Sequence, residues 1–150
     1  GHVGAVQISI DAAEADTYAN VRRPGNFARL LKNLAFIKEM REIGEIQHLM
    51  FSMVVQDANY REMPAFVRMG QDFGADSVMF NMYRQRDVFS KGEYEDAFIG
   101  DPHHPDHADF LEILHAPELY LPIANLGNLA AYAPAGWLDA DKHPIGQAAE

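Results

Sequence analysis

Val6, Ile8 and Ile10 alternate with Gln7 and Ser9 near the start of the chain. A period of two sorts residues onto opposite faces of an extended segment, so Val3 to Ile10 reads as a strand with one apolar and one polar side. The period then changes. Phe27, Leu30, Leu31, Leu34, Ile37 and Met40 recur at three- and four-residue intervals, the spacing of one helix face. Asn26 stands at the N-cap position and Gly44 at the C′ position, which predicts a helix over Asn26–Ile43. Glu45 to Gln56 contains the nearly unbroken apolar run LMFSMVV. Such a run suits a strand buried on both faces, as in a parallel sheet. Asn59-Tyr-Arg-Glu62 has capping-box spacing, with Asn59 as N-cap and Glu62 three positions on. Met63, Phe66, Val67, Gly70 and Phe73 continue that helix, and Gly74 closes it. Ser77 to Tyr83, SVMFNMY, reads as the third strand.

The order strand, helix, strand, helix, strand makes two consecutive βαβ units. That predicts an α/β fold with parallel strands and right-handed crossovers. The remainder is less regular. Asp87 to Gly100 reads as a loop with a helical turn at Glu93–Phe98. Pro105 to Leu114 reads as a short helix with Pro105 at N1 and Phe110, Leu111 and Leu114 facing inward. A further short helix is expected around Asn125–Ala131. From Tyr132 the chain is rich in Ala, Pro, Gly and Asp, and an extended or frayed tail is expected over 132–150.

Length and charge narrow the function classes. The chain has 150 residues, enough for one domain with its own core. Its net charge is −10, with 22 acidic against 12 basic residues. A nucleic-acid partner would require a basic footprint, so none is expected. No apolar run approaches the roughly 20 residues of a membrane span. Gly1-His2 reads as a cloning scar, no leader pattern opens the chain, and a cytoplasmic location is expected. There is no cysteine. Disulfides, thiolate zinc sites and cysteine-held iron–sulfur clusters are therefore excluded on this chain.

Polar residues gather where the strands end, which is where parallel α/β sheets collect ligands. One group is Ser9 and Asp11, with Arg22 and Arg23 following. A second is Gln56, Asp57 and Asn59, and a third is Asn81, Tyr83, Arg84 and Gln85. Serine and aspartate can bond hydroxyls, and an arginine can fork onto a carboxylate. Turn and cap roles explain Asp57 and Asn59, whereas Ser9 and Asp11 are evenly balanced between ligand and turn. Asp101 to His107 brings together His103, His104 and His107, with no fourth ligand for a closed zinc site, so a structural role is expected. Met50, Met53, Met79 and Met82 are read as core filler. There is no serine–histidine–aspartate pattern, P-loop or glycine-rich dinucleotide turn.

Three short motifs in fixed order carry a resemblance. They are Ser9-Ile10-Asp11-Ala12, Thr17-Tyr18 with Val21-Arg22, and Gly25-Asn26-Phe27. Together with FSMVVQDANYREMPAFVRMGQDFGADSVMFNMY they resemble the radical S-adenosylmethionine (SAM) enzymes, especially relatives of the peptide- and protein-modifying maturases. The resemblance covers about Val6 to Leu129. That family's fold is a partial (β/α)6 barrel, whose first unit holds a [4Fe–4S] cluster on Cys-x3-Cys-x2-Cys. The resemblance implies that residues 3–131 are the C-terminal half of such a barrel. SAM would be a cofactor weakly bound here, and the cluster would belong to the parent protein only. Alone, the chain would be inactive. Ser9 would reach the SAM ribose and Arg22 its carboxylate, Gln56 and Asn81 would line the pocket, and Asp11 would orient the loop. Ala12 stands where the family commonly has glycine. The alternatives are a non-catalytic half-barrel that binds a small ligand or assembles with a partner, and a fragment of another (β/α)8 enzyme. A half-barrel leaves a sheet edge and a face open, so a homodimer, or pairing with an N-terminal half-barrel, is expected.

Overall fold

A computed structural model describes residues 2–83, 91–135 and 137. Four strands, β1 (Val3–Ser9), β2 (Ile46–Val55), β3 (Ser77–Met82) and β4 (Ala124–Asn125), form one sheet. All are parallel and lie in chain order, β1-β2-β3-β4. Between them run α1 (Ala15–Val21), α2 (Phe27–Glu42) and α3 (Met63–Asp72), and α4 (Lys91–Ala97) and α5 (His107–Ile113) precede β4. No helix among the described residues is long and apolar enough to cross a membrane.

The register assigns the two faces. Ile8, Phe51 and Val78 are cross-strand neighbours, as are Ser9, Ser52 and Met79. Side chains alternate along each strand. One face therefore carries Val6, Ile8, Leu49, Phe51, Met53, Val55, Val78, Phe80 and Met82. The other carries Gln7, Ser9, Met50, Ser52, Val54, Ser77, Met79 and Asn81. The Gln7 amide donates to Ser52 Oγ across that second face (3.4 Å). The helices pack on the first face. Phe66 of α3 lies 6.4 Å from Phe51 and 5.9 Å from Phe80, ring centre to ring centre. Leu34 of α2 belongs to the same buried cluster, and Lys38 Nζ donates to the Asp72 carbonyl to join α2 to α3 (3.0 Å). Met50, Val54 and Met79 lie outside that cluster and are half-buried. The apolar run in β2 is thus fully covered on one side only.

Most elements follow their sequence signals. Asn26 caps α2 by accepting from the Arg29 N–H (2.9 Å). Gly44 and Gly74 sit at φ +82° and +72°, the left-handed C-terminal position that glycine adopts without strain. Phe110 and Leu114 are buried, and Leu111 packs against the core.

Other expectations need correction. Among the described residues there are four strands rather than three, because a two-residue strand at Ala124–Asn125 is too short to leave a period. The short helix expected around Asn125–Ala131 is present as a 3₁₀ helix, Gly127–Tyr132, that begins two residues later because Asn125 ends β4. Helix α1 was not foreseen, since its seven residues contain no buried position. The capping box at Asn59 does not form: neither side chain caps α3, and a 3₁₀ turn, Tyr60–Glu62, precedes that helix. The turn expected at Glu93–Phe98 is α4, and α5 begins at His107, after Pro105. The tail is not wholly frayed, because Trp137 is buried and its indole N–H donates to the Leu119 carbonyl (3.3 Å). Arg84, Gln85 and residues 138–150 lie outside the described residues.

Two contacts that hold helices to the sheet give measurable expectations. A Cβ on Gly70 would lie 2.3 Å from Val78 Cγ2. Alanine gains about 1 kcal/mol in helix propensity. Overpacking costs about 1–3 kcal/mol, and Val78 is fully buried with a stiff β-branched side chain. Overpacking wins, so Gly70→Ala should lower the urea midpoint rather than raise it. Two residues before Val78, at the same end of the sheet, Asp76 accepts from Arg41 Nε (3.1 Å) and Nη2 (2.7 Å) and from the Leu49 N–H (2.8 Å). The hydrogen-bonded Arg41 guanidinium holds the Asp76 carboxyl below its ordinary range. A lowered folded-state pKa gives stability that is complete above the unfolded value, near 4, and lost as pH falls through the folded value. Asp76→Asn should therefore destabilise at pH 7, with the gap from the parent chain closing below about pH 4 in thermal melts.

Candidate functional site

The strand ends are tied by one hydrogen-bonded knot. Asp11 follows β1 at φ +66°, a left-handed conformation that aspartate tolerates better than most side chains. Its carboxylate accepts from the Val54 N–H (2.8 Å), pairs with Arg22 Nη2 (2.6 Å) and faces Ser9 Oγ (3.5 Å). Arg22 also donates to the Ser9 carbonyl (3.0 Å) and to Ser9 Oγ. Asn59, 1% exposed, completes the knot. Its amide donates to the carbonyls of Asp11 (3.0 Å) and Val54 (2.9 Å), and its oxygen accepts from the Gln56 N–H (2.9 Å). Glu62 Oε2 accepts from the N–H groups of Ala13 (2.6 Å) and Glu14 (3.2 Å) as the chain enters α1. Its partners lie 49 and 48 residues away in sequence, so no local spacing announces them.

Of the five residues singled out by sequence, Ser9, Asp11 and Arg22 are in direct contact. Asn81 lies on the same open face, in register with Val54, at the end of β3. Gln56 is half-buried just past β2. All five therefore sit at the carboxyl end of the sheet. Asn128 and Asn125, which the sequence reading did not single out, order the neighbouring turn. Asn128 Oδ1 accepts from the Met82 N–H (2.7 Å) and Asn125 Oδ1 from the Gly127 N–H (2.9 Å).

The histidine segment folds beside the same strand ends. His104 Nδ1 accepts from the Asp106 N–H (3.1 Å), and Nε2 meets the Asp96 carbonyl (3.1 Å). Nε2 also lies 3.7 Å from Asp57 Oδ1. His107 Nδ1 bonds the Ile99 carbonyl (2.8 Å), and the His103 N–H donates to Asp101 Oδ1 (2.8 Å). Asp57, His104 and Asp106 bring potential ligand atoms within 4.8 Å of one another. A metal there would have to take a ring nitrogen from a backbone partner and would find three ligands where a closed zinc site has four. Loop contacts hold His104, whereas Asp57 Oδ1 is buried with no hydrogen-bond partner among the described residues. Nearby, Tyr60 Oη donates to Asp109 (2.6 Å), and burial with that carboxylate pushes its phenol well above the ordinary range.

No family model, curated protein or solved structure matches this chain. Geometry at the strand ends therefore carries the functional reading.

Proposed function

We propose that this chain is the C-terminal half of a radical SAM barrel, contributing one wall of the SAM and substrate pocket. The observation that supports this is the winding of the sheet. Four parallel strands follow one another in chain order, with α2 and α3 on the same face. A doubly wound sheet reverses its strand order at a switch point and carries helices on both faces. Sequential winding with one helical layer is how (β/α) barrels are built, and the other face becomes the barrel interior. Here that face is rich in polar groups toward the strand ends, as a pocket wall would be.

The donor set fits the proposed cofactor. The Ser9 hydroxyl and the Gln56 and Asn81 amides can bond ribose hydroxyls and a purine edge. The Arg22 side chain is 39% exposed, so a ligand carboxylate can reach it. Its Nη2 is already paired with Asp11, and the ligand would share the guanidinium. Asp11 is then a positioning residue that fixes Arg22 and the turn after β1. When bound beside a reduced cluster on the other half, SAM supplies hydrogen-atom abstraction from substrate. This chain's residues would orient the cofactor and exclude water. Without thiolates the chain cannot hold that cluster itself. The coding sequence upstream of Val3 tests the proposal. It should encode Cys-x3-Cys-x2-Cys within roughly three βα units, and its absence would overturn the reading.

A further inference from the structure

We infer that the cleft between α1 and the first turns of α2 binds the phosphoryl group of a small organic phosphate, held by Arg23 and Arg29. The cleft is open to solvent and offers about 510 Å³, room for a small molecule rather than a bare ion. Among the described residues three arginines line it, Arg22, Arg23 and Arg29, and no acidic residue does. That is notable in a chain where acids outnumber bases 22 to 12. Asp11 neutralises Arg22. Arg23 donates to the neutral Asn20 side chain (2.6 Å), and Arg29 makes no ion pair among the described residues. Two exposed guanidinium charges are thus left facing one cleft.

Phosphate is the anion this arrangement suits. Guanidinium forks match its oxygens, and a dianion can engage both arginines at once. Asn26 and Asn33 add amides on the α2 side, and Tyr18 and Leu30 offer apolar surface for an organic body. Gly25 keeps the turn close: a Cβ there would lie 2.4 Å from the Arg22 carbonyl and 2.8 Å from the Tyr18 ring. A long polyanion such as nucleic acid would meet the repulsion of the −10 net charge. Arg22 lines both this cleft and the strand-end pocket, but the phosphoryl contacts are those of Arg23 and Arg29, which take no part in the proposed barrel site.

Calorimetric titration of the whole chain at constant ionic strength tests this, with inorganic phosphate and phenyl phosphate as probes and acetate as the control. Phenyl phosphate should saturate one site and bind more tightly than inorganic phosphate. Binding should strengthen from pH 5 to 8, as the second phosphate ionisation near 6 is passed. Arg23→Ala and Arg29→Ala should each weaken it about tenfold, and the double variant should abolish it. Both side chains are exposed, so the variants should keep the parent melting temperature. Equal affinity for the two phosphates would overturn the organic ligand. Unsaturable binding, or binding that the double variant retains, would overturn the site.

Discussion

Asp11→Ala should cost about 3 kcal/mol of folding stability, a large part of what a domain of this size possesses. Two effects add. The Val54 N–H loses its acceptor in a part-buried position, which costs about 1–3 kcal/mol. Alanine must also adopt φ +66°, which costs about 1–2 kcal/mol for a residue without a short polar side chain. Arg22 is exposed enough to find water, so its lost partner adds little. Neighbouring variants separate the effects. Asp11→Asn keeps an acceptor and tolerates the left-handed conformation, and should cost about 1 kcal/mol. Asp11→Gly relieves the backbone and loses the acceptor, so it should fall between the other two. Urea midpoints at constant m-value give the order. If alanine costs less than about 1 kcal/mol, the knot does not hold the strand ends together.

The same residues show what the sequence could and could not disclose. Asn26, Gly44 and Gly74 act within a few residues of where they stand, and their roles were legible. So was the alternation of Val6, Ile8 and Ile10, because one buried face suffices to imprint a period. Asn59 and Glu62 misled by fitting a local motif. Their acceptors and donors serve the ends of β1 and β2, where bonds reach back almost 50 residues. A buried amide that can join two strand ends is worth more there than at an exposed helix start. Asp11 was legible as a candidate but not as a knot, since Val54 stands 43 residues away. The polar face was half legible. Gln7 and Ser9 announce it in β1, whereas the Met50, Ser52 and Val54 positions in β2 are masked by an apolar run that serves both faces. Strand β4 left no trace because two residues cannot alternate.

The outer edge of β1 leads to the second large effect, a doubling of mass in solution. A parallel strand that pairs on one side leaves backbone N–H and C=O groups unpaired on the other. Proteins usually protect such an edge with charge or proline. Here the strand reads VGAVQIS, with neither, and Val3, Gly4, Ala5, Gln7 and Ser9 are exposed. The open face offers less. Met50, Val54 and Met79 are half-buried there, and Ser52 and Ser77 are already buried within one chain, so little apolar surface is left for a second copy to cover. Edge pairing needs no such surface. We predict a two-fold dimer in which β1 pairs antiparallel with β1 of a second copy, giving one continuous sheet of eight strands from four in each chain. Light scattering on a sizing column at micromolar concentration should give about twice the 16.8 kDa of one chain. Ala5→Lys places a charge on the edge beside its own two-fold copy and should return the mass to that of one chain, with the urea midpoint no longer dependent on concentration. If β1 is instead the seam of a barrel, an added N-terminal half should compete for the same edge and turn the homodimer into a one-to-one pair. A parent chain that elutes as a monomer, or an Ala5→Lys variant that stays dimeric, would show that the edge of β1 is not where this protein assembles.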